Sequence, residues 1–174
     1  MLIVVCGLPG AGKTTVSEAI ADRLDAVRLR TDVVRKDVLA DPDYTPEETR
    51  RVYAELLDRG RERLDDGERV VLDGTFKRGW QRKGARTAAD DTGVPFQLVR
   101  VDCDETTVRE RIAAREGDES DADFEVHRII REEFEPLRRE HAVVDNSGSL
   151  EETMEQVDAL VDRATPRDSP GIEQ

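Results

Sequence analysis

Five stretches of this chain are apolar and short enough to be strands, and segments of helical period lie between them. Leu2 to Cys6 is a continuous apolar, β-branched run, the pattern of a strand buried on both faces. Ala26–Arg30, Arg69–Asp73, Phe96–Val101 and His141–Val144 predict four more. Thr15–Leu24 puts Val16, Ile20 and Leu24 on one helical face. Thr31 or Asp32 is placed to cap a short helix through Leu39. Thr45, Pro46 and Glu48 supply the N-cap, N1 proline and N3 acid of a helix to about Asp65, which buries Val52, Tyr53, Leu56, Leu57 and Leu64 before Gly67 stops it. Further helices are predicted over Trp80 to about Asp90, from Asp104 or Glu105, over about Ala122–Glu140, and over Leu150–Ala164. Strands alternating with helices mean a parallel sheet covered on both faces, an α/β fold.

The turn after the first strand carries the most specific pattern in the chain. Gly7-Leu8-Pro9-Gly10-Ala11-Gly12-Lys13-Thr14 fits G-x-x-x-x-G-K-S/T, and Thr15 continues into the helix. Strand, glycine loop and helix in that order are what a phosphate-binding P-loop requires. Glycines let the backbone approach an anion, and successive amides at a helix N-terminus make a nest for phosphate. Lys13 is expected to reach the β- and γ-phosphates, with the Thr14 hydroxyl on Mg²⁺.

Composition narrows the picture further. With 174 residues the chain predicts a single domain over 1–164, followed by a frayed tail at 165–174. No basic segment precedes the first strand, and no run approaches the roughly 20 apolar residues of a membrane span, so a cytoplasmic protein is expected. Cys6 and Cys103 end predicted strands and read as reduced core residues. His127 and His141 have no partner at metal-ligand spacing and read as structural. The net charge is −13, from 40 acidic and 27 basic residues, with lysine only at 13, 36, 77 and 83. Such an acidic, lysine-poor surface is of the halophilic type, where salt screens self-repulsion. It argues against broad, nonspecific nucleic-acid binding.

Ligands on open α/β sheets sit beyond the strand C-termini. The P-loop, Asp32, Asp73 and Asp102–Asp104 all fall there. The set GLPGAGKTT, Arg30-Thr31-Asp32-Val33-Val34-Arg35, VVLDGTF (Val70–Phe76) and VRERIAAR (Val108–Arg115) resembles the small P-loop kinases. It is most similar to the AAA_33 or gluconate-kinase-like group, and resembles the kinase domain of polynucleotide kinase, zeta toxin and chloramphenicol phosphotransferase. The resemblance covers residues 1 to about 161. It implies a P-loop NTPase three-layer sandwich, a five-stranded parallel sheet in the order 2-3-1-4-5, and a short lid at about 115–121.

The same resemblance implies roles. Asp32 stands where these kinases carry the base for the acceptor hydroxyl, and Arg35 shares its helical face and would hold the acceptor. Asp73 ends its strand as a Walker B acid does, near Mg²⁺ or the acceptor. Arg111 would stack on adenine, and Arg115, one turn on, would be the transition-state arginine. Asn146 lies in a loop that resembles the adenine-edge loop. Arg78, Arg82 and Arg86 form an i, i+4 line able to meet an anionic acceptor. Each has a plainer alternative: a helix cap or turn for Asp32, Asp73 and Asn146, a solvated face or intrahelical ion pair for the arginines.

The expected activity is transfer of the γ-phosphoryl of Mg-ATP to a hydroxyl of a small-molecule or nucleotide-like acceptor, with ATP and Mg²⁺ as cofactors. A nucleic-acid 5′-hydroxyl kinase and an ATP-hydrolysing switch remain as alternatives.

Overall fold

In the computed structural model, which describes residues 1–114 and 120–165, twelve elements follow one another. They are β1 (Leu2–Gly7), α1 (Lys13–Leu24), β2 (Ala26–Arg30), α2 (Thr31–Val38), α3 (Pro46–Asp65), β3 (Arg69–Asp73), α4 (Gly79–Asp91), β4 (Phe96–Asp102), α5 (Glu105–Ala113), α6 (Ser120–Glu133), β5 (Ala142–Asp145) and α7 (Leu150–Ala164). The five strands form one parallel sheet in the order β2-β3-β1-β4-β5, the order expected.

The period of two along β1 divides the core. Leu2, Val4 and Cys6 face one side and pack with Val52, Tyr53 and Leu56 of α3 and Ala85 and Ala88 of α4. Ile3 and Val5 face the other side, against Val16 and Ile20 of α1 and Val157 and Leu160 of α7. All of β1 is buried, as its unbroken apolar run requires. Burial on both faces makes the sheet the middle of three layers.

Register fixes what reaches the upper rim. Val5 is level with Asp73, Asp73 is level with Arg30, and Gly7 is level with Val101. The P-loop, the end of β3 and the start of α2 therefore emerge side by side.

The α3 N-terminus carries the full capping box: Thr45 accepts from the Glu48 amide, and Glu48 accepts from the Thr45 amide. Beyond shifts of one or two residues at the ends of β1, α1 and β4, three boundaries differ in ways the contacts explain or the site feels. The N-cap of α2 is Arg30, without a side-chain cap bond, so neither Thr31 nor Asp32 caps it; both lie inside the first turn. Helix α6 ends at Glu133, not near Glu140. Pro136 lacks an amide donor and disfavours helical geometry at Glu135, whose own amide turns away to the Lys77 carbonyl at 2.9 Å. The last strand is shifted by one residue, and its register begins at Val99 opposite Ala142. Residues 115–119 of the expected lid and 166–174 of the expected tail lie outside the described residues; Ser120 and Asp121 belong to α6. Among the described residues no helix is long and apolar enough to cross a membrane.

Candidate active site

The loop between β1 and α1 has the backbone that its glycines predict. Gly10 and Gly12 sit at φ 81 and φ 90, and Gly12 is the N-cap of α1. A Cβ on Gly12 would come within 2.0 Å of the Asn146 amide nitrogen, so the position is closed to any side chain. The first bond closing onto α1 runs from the Val16 amide to the Gly12 carbonyl. The amides of Thr14 and Thr15 precede that first bond, as at any helix start. A helix start at the end of a glycine loop is the arrangement in which backbone amides can make an anion nest. Lys13 Nζ donates to the Leu8 carbonyl at 2.9 Å, which folds its ammonium back over the loop. Thr14 and Thr15 are exposed.

Asp73 is buried at the end of β3 and accepts from Ser17 Oγ at 2.6 Å. Arg28, on the neighbouring strand β2, donates to the Thr14 carbonyl at 3.0 Å and to Ser17 Oγ at 3.2 Å. The first turn of α1 is thereby tied to both β2 and β3, and the Asp73 carboxylate is held by the Ser17 hydroxyl. A charged hydrogen bond of this kind contributes about 1.5–3 kcal/mol. Neither Ser17 nor Arg28 stood out in the sequence. The available signals were a serine facing the core from an otherwise apolar stripe and an arginine inside a strand.

This arrangement fits a triphosphate with Mg²⁺. Among the described residues no cluster of three or more His, Cys, Asp or Glu could hold a metal alone. A hydroxyl on Thr14 and one nearby carboxylate are what Mg²⁺ takes from protein when phosphates supply the rest.

A second set of contacts braces the loop from the β5 side. Asn146 is buried, donates from Nδ2 to the Ala11 carbonyl at 2.9 Å and accepts from Thr153 Oγ1 at 2.8 Å. Its side chain supports the loop from behind. Arg111 donates to Cys103 Sγ at 3.4 Å and lies beside Gly12, 3.7 Å from where a Cβ would stand. That places its guanidinium above the start of α1. Arg115 lies outside the described residues. His127 of α6 is buried, stacks on Phe124, and brings Nδ1 to 2.7 Å from the Pro9 carbonyl. A carbonyl only accepts, so Nδ1 carries the proton.

A pocket of about 410 Å³ opens beside the loop, between the end of β4 and α6. Its arginines are already paired, Arg100 with Asp102 at 2.5 Å and Arg131 with Glu105 at 2.8 Å.

On the other flank, Asp32 projects from the first turn of α2 and accepts from Arg30 at 2.6 Å with half its side chain in solvent. Arg35, one turn later, lies over the Tyr44 ring at 4.6 Å. Arg78 sits 3.7 Å from both Glu133 and Glu135, and Lys77 pairs with Glu133, whose carboxyl it holds below the usual range. Arg82 donates to the carbonyls of Phe76, Glu135 and Pro136, and Arg86 pairs with Asp90. The arginine row predicted on α4 is therefore largely engaged in fastening the 134–141 segment. Burial pushes the Cys6 thiol up to about 12, which keeps it protonated and out of the chemistry.

Comparison with known proteins bears on the fold and family. A family model for an AAA domain, AAA_33, matches residues 2–137. An uncharacterized protein of Mycobacterium tuberculosis is 33% identical over 137 residues, 72% of this chain and 28% of its own; the chain thus spans little more than a quarter of that relative. Cytidylate kinase of Methanothermobacter thermautotrophicus is 28% identical over 145 residues, 78% of this chain and 90% of its own. Among solved structures, Mycobacterium tuberculosis APS kinase CysC in complex with AMPPNP and APS superposes with a TM-score of 0.72 at 19% identity, covering 92% of this chain and 95% of that one. Chaetomium thermophilum Kti12 in complex with ADP-AlF3 does so at 0.71 and 18%, covering 93% and 98%. At these identities the structural likeness shows a P-loop kinase-like fold.

Proposed function

The chain belongs to the AAA domain family AAA_33, and from that premise we propose that it transfers the γ-phosphoryl of Mg-ATP to a hydroxyl group of an acceptor. One observation carries the reading: strand register brings the P-loop, Asp73 and the start of α2 to one rim. A phosphate nest, a metal-side carboxylate and a solvent-facing carboxylate then border the same space.

In this reading the amides at the start of α1 and the Lys13 ammonium bind the triphosphate, and Thr14 with Asp73 would hold Mg²⁺, the latter through water. Bound Mg-ATP supplies an electrophilic phosphoryl whose charge is partly neutralised by the metal. Asp32 accepts the proton of the acceptor hydroxyl as its oxygen attacks. Arg30 pairs with that carboxylate at 2.6 Å and holds its position. Arg111 lies where a guanidinium can stack on adenine. Arg115 keeps the role that the resemblance implies for it, contact with the moving phosphoryl. Asn146 acts on the nucleotide through the loop it braces. The test is a screen of hydroxyl compounds with γ-labelled ATP: label appearing on an acceptor supports the reading. Release of labelled phosphate alone, indifferent to acceptors, favours an ATP-hydrolysing switch.

A nucleic-acid 5′-hydroxyl acceptor is favoured by one specific feature. A groove of about 1160 Å³ runs along α4, lined by Arg82, Lys83, Arg86, Arg138, Arg139 and Arg163 against Asp90, Glu135 and Glu140. This is a local excess of positive charge in a chain of net charge −13. Activity on 5′-hydroxyl oligonucleotides that falls steeply with salt would select this acceptor class.

A further inference from the structure

The groove along α4 reaches far below the rim. Its lining includes Phe96, Gln97 and Leu98, the first residues of β4. Phe96 is level with Leu2, and Val101 is level with Gly7, so Phe96 lies about 16 Å from the P-loop at the rise of a parallel strand. His141 and Ala142, where β5 starts, and Arg163, in the last turn of α7, line the same groove. This is the edge of the sheet opposite the one that carries the phosphate loop.

Charge there is unbalanced. Arg82 is spent on three carbonyls and Arg86 on Asp90. Lys83, Arg138 and Arg139 have no partner for their charged groups among the described residues, and Arg163 donates to the Ala159 carbonyl of its own helix. Glu135 accepts from the Gly79 amide and lies 3.7 Å from Arg78, which leaves Glu140 to offset the four cations among the described groove residues. Like charges gathered without counter-charge repel one another, an arrangement that an anion relieves.

A polar atom at the same edge also lacks a partner. Gln97 Oε1 is shut off from water and makes no hydrogen bond among the described residues. A buried acceptor without a donor is destabilising, so one in a folded protein calls for a reason. The last torsion of a glutamine is soft, so its terminal amide can turn to meet a donor that enters the groove.

We propose that this edge of the groove is a second, non-catalytic site for a small phosphate ester that carries a hydroxyl or amine. Arg139 and Arg163 receive the phosphate, Lys83 and Arg138 add to the field that draws it in, and Gln97 Oε1 accepts from the ligand's donor. The groove, at about 1160 Å³, holds a ligand of that size with room to spare. A hydroxyl held beside Phe96 is far outside the ~3–3.5 Å that attack on a phosphoryl requires, so this ligand is not the acceptor of the kinase reading. The site is therefore independent of which acceptor is phosphorylated.

The test is calorimetric titration of the full chain in low-salt buffer, with the P-loop first filled by saturating Mg-AMPPNP. Glycerol 3-phosphate, which carries hydroxyl donors beside its phosphate, is compared with sulfate, which only accepts. Saturable uptake of one glycerol 3-phosphate is expected, with sulfate bound more weakly. Arg139→Gln combined with Arg163→Gln should weaken both anions by roughly tenfold or more, and the corresponding double lysine variant should retain most of the affinity. Gln97→Met should weaken glycerol 3-phosphate and leave sulfate unchanged. Equal affinity in the parent and the double glutamine variant, no saturable uptake by the parent, or unaltered discrimination between the two anions in Gln97→Met would each overturn the proposal. So would a 5′-hydroxyl oligonucleotide that displaces glycerol 3-phosphate at far lower concentration and with steep salt dependence, since the groove would then belong to a nucleic-acid strand. The readout does not involve transfer, so a chain that phosphorylated no hydroxyl would still report on this site. An empty site would leave Asp32 and the P-loop unaffected.

Discussion

Nδ1 of His127 lies 2.7 Å from the carbonyl oxygen of Pro9, joining α6 to the crest of the P-loop across 118 positions of sequence. The ring is almost wholly buried and stacked on Phe124, so it has no freedom to seek another partner. His127→Phe keeps the stack and removes the donor, leaving the Pro9 carbonyl unpaired at a cost of about 1–3 kcal/mol. Chemical denaturation should show that loss, and titration with AMPPNP should show weaker binding. Full stability and affinity in this variant would mean the contact is incidental.

Asn146 separates two ways of serving a nucleotide. Its amide spans the Ala11 carbonyl and the Thr153 hydroxyl, so Asn146→Ala removes a brace and not a base-reading group. Competition binding should show ATP and GTP weakened by a similar factor, with stability down by about 1–3 kcal/mol. A change in base preference with unchanged stability would assign the residue to the adenine edge instead.

The Ser17–Asp73 bond predicts a different pattern. In the proposed reading the Asp73 carboxylate, held by Ser17, serves the metal side of the reaction, so Asp73→Asn should lower turnover by about a hundredfold or more while nucleotide affinity changes little. Ser17→Ala leaves the carboxylate in place but less well oriented, so its effect on turnover should have the same sign and be smaller. Steady-state kinetics and AMPPNP binding on both variants check the ordering.

Much of this molecule is legible in its residues because the governing forces are local. The run LIVVC, the glycine spacing after it and the Thr45–Glu48 box each fix backbone geometry within a few positions. Where α6 ends was legible too, in Pro136, but the apolar period of the segment outweighed it. The contacts that shape the site are of another kind. Arg28 to Thr14, Ser17 to Asp73, and His127 to Pro9 join residues 14, 56 and 118 positions apart. No periodicity marks them, since each joins residues on different elements that only the tertiary fold brings together. The Arg78–Arg86 row was visible but ambiguous. Its engagement with Glu133, Glu135 and backbone carbonyls depends on how the 134–141 segment returns over α4.

The charge balance makes a prediction of its own. With a net charge of −13, self-repulsion should weaken the folded chain at low ionic strength and be screened as KCl rises. The melting temperature should climb from low to molar salt, each kcal/mol of screening appearing as about 2–4 °C. A flat series would remove the inference of a surface adapted to high salt.

The kinase reading depends most on the carboxylate of Asp32 taking a proton from a hydroxyl. The direct measurement compares the parent chain with Asp32→Asn, following label from γ-labelled ATP onto the acceptor and, in parallel, AMPPNP affinity. Loss of transfer by about 10²–10⁴-fold with nucleotide affinity unchanged is expected. Transfer at an undiminished rate in Asp32→Asn, as a phosphate-oxygen acceptor needing no base would allow, would contradict it.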